Sequence, residues 1–407
     1  MKRHLLTTLP TLGLLCLVTG CSGPTKSGLE ARAEANTRID TISANMTFDQ
    51  AEQAFHSGDF ELAMRHITSA LELFPEESPY HLMKGRIFLE SMNLEEAFRS
   101  FQAAQEHDPE NAKAFYYAGI VNQRWSNDEQ AYQQYLQASN LDENNVQYLL
   151  AAAESQVALG QYQGASNLIA PRIKHFEHNV GLKQLQGEIA MLLEDHGAAV
   201  RHFEEARMLE PEDNILLEEL AWAQYSNGDY SDCISTIDSL QSRLDTERVD
   251  LLRIQAQCLA MLERYQEAHT AYIELSNKQY DDPDIWVELG TVCWELKDYN
   301  RLRQCGQRLV SLSPGRHEGY LLLGVSEKNA GDRSEAIRQL RAACDRSHQD
   351  AMPHMLLGLI LEDTGFMREA LAAYGKALEI EPGNAEATRF YSQLQDTIHV
   401  TSVSTDR

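Results

Sequence analysis

His175 and His178, three apart in the stretch HFEH, are of a type that could share a metal ion on one helix face. Two histidines alone do not make a zinc site, and the rest of the fourteen are scattered. A solvated pair near a helix end is therefore expected. No phosphate-binding glycine loop, no HExxH and no GxSxG occurs in the chain. Carboxylates abound, but spread over every exposed helix face they make a solvated surface. No catalytic residue, metal ligand or cofactor is assigned, and an enzyme is not expected. Seven cysteines are present. Cys233, Cys258, Cys293, Cys305 and Cys344 form no CxxC pair, and each falls in a helical pattern, where a small apolar side chain packs in a core. A Cys293–Cys305 bridge across one helical hairpin is left open.

The first residues stand apart. Lys2, Arg3 and His4 give a basic start, and the apolar run Leu5–Val18 is too short for a comfortable membrane span. It reads as an export signal over residues 1–20. Its end, Val18-Thr19-Gly20-Cys21, resembles the lipobox of bacterial lipoproteins, in which the cysteine is lipidated and becomes the new N-terminus. The resemblance implies several acyl chains on Cys21, and stable attachment needs at least two. Ser22 after the cysteine implies, by the same resemblance, the outer membrane, facing the periplasm of a bacterial envelope.

The formal charge is −26, falling to −28 once Lys2 and Arg3 leave. Nucleic acid is excluded as a partner class, because phosphate backbones are bound by basic patches. An acidic surface serves solubility first and hints at a basic partner second.

From residue 44 the chain keeps time. EAFRSFQAAQEHDPEN at Glu96–Asn111 returns as AAVRHFEEARMLEPED at Ala198–Asp213 and as EALAAYGKALEIEPGN at Glu369–Asn384. The offsets of 102 and 273 residues are three periods of 34 and eight periods plus one. Units of 34 start at 44, 78, 112, 146, 180 and 214, then, after one inserted residue, at 249, 283, 317 and 351. The eighth place of every unit is Gly or Ala, and six of the ten are Gly. The twentieth is Ala except at Cys233 and Leu302, and the twenty-fourth is large and apolar or aromatic except at Gly306. Small residues at places eight and twenty let two antiparallel helices cross closely, and the bulk four residues on fills the adjoining space. Proline ends five units and stops the second helix.

This pattern resembles the tetratricopeptide repeat, most fully at Trp286-Val-Glu-Leu289-Gly290-Thr-Val-Cys293, where Cys293 stands in place of the usual tyrosine. The fold expected is all-α, an alpha-alpha superhelix of about ten helix-turn-helix repeats over 44–384. Residues 21–43 are expected to be the lipidated N-terminus, tether and a helical segment. A capping helix is expected over 385–399, with Ala387, Tyr391, Leu394 and Ile398 at helical spacing, and a disordered tail over 400–407. A single unit cannot bury its apolar face, so each must stack on the next. Two departures stand out. Leu302 and Gly306 suggest bulk moved one turn along a helix, and Pro171 should kink or break a second helix at Ala170.

The resemblance further implies that places two, five, nine, twelve and thirteen of each first helix face a concave groove. That puts Tyr116, Ile120, Gln123, Arg124, Trp222, Tyr225, Arg253, Trp294, Lys328 and Asn329 there as partner-binding residues. The expected partner is a protein, docking a peptide or helix in the groove, with the membrane reached through the N-terminal lipid. Similar lipoproteins assist assembly of pili, secretion channels and polysaccharide-export machines. Carbohydrate or cell-wall binding through the same aromatics is the alternative, and a non-catalytic adaptor for an envelope enzyme is a second.

Overall fold

The structure, a computed structural model, describes residues 25–246 and 248–405. Cys21 and the leader lie outside the described residues. Every regular element among the described residues is helical. They divide into two compact units, one ending at His175 and one beginning at Phe176.

The first unit holds α1 (Lys26–His56), α2 (Phe60–Leu73), α3 (Ser78–Glu90), α4 (Leu94–His107), α5 (Ala112–Arg124), α6 (Asp128–Leu141), α7 (Val146–Ala158) and α8 (Tyr162–Ile169), closing on a 3-10 turn at Ile173–His175. The second holds α9 (Val180–Leu192), α10 (His196–Leu209), α11 (Asn214–Asn227), α12 (Tyr230–Gln241), α13 (Val249–Met261) and α14 (Tyr265–Lys278). It continues with α15 (Pro283–Glu295), α16 (Tyr299–Leu312), α17 (His317–Ala330), α18 (Arg333–Cys344), α19 (Met352–Asp363), α20 (Met367–Ile380) and α21 (Ala385–Thr405). Paired in order, α1 to α20 make ten hairpins in the phase of the 34-residue period. Each unit is a solenoid of stacked helix pairs.

Local chemistry punctuates the hairpins at repeating places. Place thirty-four carries a side chain that caps the next first helix: Asn111 accepts from Ala114 N at 3.2 Å, Asn179 from Leu182 N at 2.8 Å, Asp213 from Ile215 N at 2.7 Å. Place sixteen does the same for second helices, as with Asp59 to Leu62 N at 2.9 Å and Asp298 to Arg301 N at 3.0 Å. Each such cap is worth about 1 kcal/mol over alanine. Place fifteen, between the two helices, takes a left-handed backbone in every hairpin. Five are glycine, and five are Met92, Ser126, Glu194, Glu263 and Lys297 at φ 57–61°.

The crossing of the two helices sits where the period placed it. A Cβ at Gly85 would stand 2.4 Å from Phe101 Cε1, at Gly119 2.6 Å from Tyr135 Cδ1, and at Gly358 2.4 Å from Tyr374 Cε1. Ring and missing Cβ therefore occupy one space. The large residues at place twenty-four are all 2% exposed or less, each contributing ~1.5–3 kcal/mol by burial.

The eighth hairpin solves the same packing differently. Leu302 is fully buried, but the space beside Gly290 is filled from the following hairpin, by Leu322, whose Cδ1 lies 2.4 Å from where a Cβ would be. Gly306 meanwhile lets α17 approach: a Cβ there would sit 2.9 Å from the Gly319 carbonyl oxygen. The compensation expected within one helix is thus shared between two hairpins.

α8 is eight residues long, against twelve to fourteen for the other second helices. It stops at Ile169 because Pro171 cannot supply the next backbone donor, and the chain turns through Arg172 N to Ile169 O at 2.9 Å. Arg172 replaces the small residue of place twenty-seven. Its guanidinium reaches out to Ser139 Oγ and, at 2.8 Å, Asn140 Oδ1 on α6.

At the C-terminus α21 buries Ala387 and Leu394 against the last hairpin, with Tyr391 and Ile398 half-buried. Phe390 adds a stacked contact with Tyr374 at 5.5 Å. The helix runs on to Thr405, past the cap boundary expected at 399, and no Gly or Pro between 385 and 405 interrupts it. The five cysteines are free thiols, four of them buried. Hydrogen bonding to Cys258 and burial push the Cys233 thiol up, and Cys293 and burial do the same to Cys305. Burial carries Cys344 to about 12. These shifts hold the Cys233, Cys305 and Cys344 thiols neutral.

Candidate functional site

The first helices α1, α3, α5 and α7 present places two, three, five, six and nine to one open cleft of about 810 Å³. Phe48 and Glu52 come from α1, Leu82 and Arg86 from α3, Lys113 and Tyr116 from α5, Tyr148 from α7. Consecutive first helices put these side chains in register, because each hairpin repeats the same crossing.

The floor is aromatic. Tyr116 stands 4.9 Å from Tyr148 and 5.6 Å from Tyr135, ring to ring, and Phe48 stands 5.2 Å from Tyr80. Burial raises the Tyr116 and Tyr135 phenols above their ordinary range, so both are neutral donors. Tyr135 Oη donates to Gln123 Oε1 at 2.9 Å. The Arg86 guanidinium lies 4.7 Å from the Phe55 ring and 5.7 Å from Tyr117, a placement that holds a cation on aromatic faces. With Lys113 it offers donors among the carboxylates Glu52, Asp108, Glu110 and Asp142. Such a surface can take an extended chain through its amides and alternate side chains. It contains no paired acid and base, and no nucleophile with an adjacent base.

Of the residues singled out from sequence, Tyr116 lines this cleft. Ile120 is half-buried against the α6 core. Gln123 is engaged by Tyr135, and Arg124 points a guanidinium nitrogen at Met92 Sδ, 3.3 Å away. In the second unit Trp222 is 45% exposed on α11, and Tyr225 meets it edge-on at 6.2 Å. Arg253 is tied to Asp282 at 3.1 Å and Glu288 at 2.9 Å. Trp294 is half-buried against two core clusters, and Lys328 and Asn329 are exposed near the end of α17. Phe48, Leu82, Arg86 and Lys113 were not singled out, although they occupy places five, five, nine and two. His175 closes the 3-10 turn and both histidines of HFEH are exposed. Among the described residues no cluster of three or more His, Cys, Asp or Glu is arranged for a metal ion, and no helix is long and apolar enough to cross a membrane.

The family model for the tetratricopeptide repeat matches residues 48–112, 82–143 and 321–393. These stretches are tetratricopeptide repeats. A tetratricopeptide repeat-containing protein, trd-1 of Caenorhabditis elegans, is 23% identical over 128 residues. That match takes in 31% of this chain and 17% of the relative, so the chain spans about a sixth of it. Among solved structures, Naa15/Naa10 bound to HypK-THB is similar over 86% of this chain and 66% of its own, at 14% identity and a TM-score of 0.44. YrrB, described as a tetratricopeptide repeat protein with an unusual peptide-binding site, is similar over 47% of this chain and 95% of its own, at 18% identity and a TM-score of 0.39. The repeat places the cleft residues on first helices, the same helices from which the sequence reading drew its groove.

Proposed function

We propose that this chain is a non-catalytic scaffold of a bacterial envelope, held to the membrane by lipid on Cys21. Its repeats dock a segment of a partner protein on the face made by the first helices. The observation that carries the reading is the cleft in which side chains from α1, α3, α5 and α7 converge on one aromatic floor. A preformed surface of this kind binds without ordering itself first, which saves the entropy that a flexible site loses. Lipid on Cys21 would hold the scaffold at the periplasmic face of the outer membrane and raise its effective concentration there. Assisting assembly of a pilus, secretion or polysaccharide-export complex is the role this arrangement suits.

The test is affinity capture from membranes with the intact lipoprotein, beside a variant carrying Leu82→Glu and Lys113→Glu in the cleft. A partner retained by the parent and lost by the folded variant supports docking there. Cys21→Ser should move the protein from the membrane to the soluble fraction; retention at the membrane would refute the anchor.

A further inference from the structure

The exposed indole on α11 has an electrostatic setting that selects its occupant. Glu219, Trp222 and Tyr225 are spaced three apart and share one helix face. Tyr225 braces Trp222 edge-on, with ring planes at 88°, and the indole remains 45% exposed. Glu219 Oε1 accepts from Gln184 Nε2 on α9 at 3.0 Å, while its Oε2 is buried without a hydrogen bond. The charges acting on this carboxylate are other acids: Glu188, Asp213 and Glu218. Three of the nearby cations are already committed. Arg248 is paired with Glu218 at 2.5 Å, Lys183 with Glu205 at 2.5 Å, and Arg253 with Asp282 and Glu288. A buried acceptor lacking a donor is costly, and an unbalanced carboxylate more so.

We propose that the second unit binds a basic segment of a partner protein, one lysine or arginine side chain lying along Trp222 with its N–H groups directed to Glu219. The proposal rests on the reading that first helices form the docking face. A cation supplies a charge over the indole and an opposite charge beside the Glu219 carboxylate. An acidic segment or an anionic lipid surface would be repelled by this face. A purely apolar segment would cover Trp222 and desolvate the Glu219 carboxylate with no opposite charge beside it. The net charge of −26 steers a basic segment toward the chain from a distance.

The experiment uses a short synthetic lysine- and leucine-containing peptide bearing a photo-cross-linker, with its glutamate counterpart, on the full chain. Expected is binding of the lysine peptide alone, cross-links on α9 and α11, and a roughly ten-fold loss of affinity in both Trp222→Ala and Glu219→Gln. Diffuse attraction to an acidic protein would hardly notice one charge in twenty-six, so equal affinity in parent and both variants overturns the proposal. Competition by a neutral N-acetylglucosamine oligomer as effective as by free lysine peptide also overturns it, since the face would then be a sugar platform. Cross-links confined to second helices would instead sink the docking-face reading itself. Cross-links on first helices without sensitivity to Trp222 or Glu219 would sink only the basic-segment assignment. Circular dichroism of each variant establishes that it is folded.

Discussion

Gly290 and Leu322 belong to different hairpins, yet a Cβ on the first would stand 2.4 Å from Cδ1 of the second. In the other glycine-bearing hairpins the neighbour of the eighth place comes from the same hairpin. The eighth and ninth hairpins are thus interlocked more deeply than the period alone requires, and Gly306 and Gly319 let their backbones meet.

This difference makes two alanine substitutions unequal. In Gly358→Ala the new methyl meets the Tyr374 ring, which is fully buried and has nowhere to retreat. Overpacking costs ~1–3 kcal/mol, reduced by the ~0.5–1 kcal/mol that alanine gains in a helix. In Gly290→Ala the methyl meets the end of a leucine that can rotate, and the net change should stay within ~1 kcal/mol of zero. Denaturant midpoints of the two variants check the order; Gly290→Ala as the more damaging would contradict it.

Leu302→Ala removes bulk that no neighbour replaces, because Gly306 offers none and Leu322 already fills the space at Gly290. A loss of ~2–5 kcal/mol is expected from the cavity. Thermal unfolding indistinguishable from the parent would refute it.

The hairpin turn gives a prediction of opposite sign. Met92, Ser126, Glu194, Glu263 and Lys297 hold a left-handed backbone that five other hairpins give to glycine. A side chain in that conformation costs ~1–2 kcal/mol, partly offset by the entropy glycine loses on folding. Replacing any one by glycine should stabilise its unit by ~0.5–1 kcal/mol, read as a raised melting temperature. A lowered one in Lys297→Gly and Met92→Gly alike would show that the side chains hold the turn.

Much of this was open to reading from the sequence. The eighth, twentieth and twenty-fourth places show the crossing because they are filled by size, and the stop at Pro171 follows from a missing donor. The left-handed turn was less visible, since half of its residues are not glycine and nothing in Met92 or Lys297 announces positive φ. Leu322 was hidden for another reason: its partner lies one hairpin away, and the repeat describes each hairpin from within. Among the residues chosen from sequence, Tyr116 lines the cleft, while Phe48 and Arg86, of the same types, were passed over along with Lys113 and Leu82.

Glu219 adds a pH dependence. Burial, opposed by the Gln184 hydrogen bond and reinforced by Glu188, Asp213 and Glu218, raises its carboxyl from 4.5 to about 7. Between those values the folded chain binds more protons than the unfolded one, so this group's contribution is whole below about 4.5 and is lost as pH rises through about 7. Glu219→Gln keeps an acceptor for Gln184 and cannot ionise. After allowance for solvent screening it should stabilise the second unit by ~1–2 kcal/mol at pH 8 and by little at pH 4.5. Melting curves at the two pH values check this, and a gain larger at the acid end would contradict it.

The docking face is tested most directly by a photo-cross-linking residue placed in the intact lipoprotein, at Lys113 in the cleft or at Gln133 on the exposed side of α6, followed by irradiation in the native membrane. The account predicts a discrete partner adduct from position 113 and none from position 133. Equal adducts from both, or an adduct from position 133 alone, would contradict it.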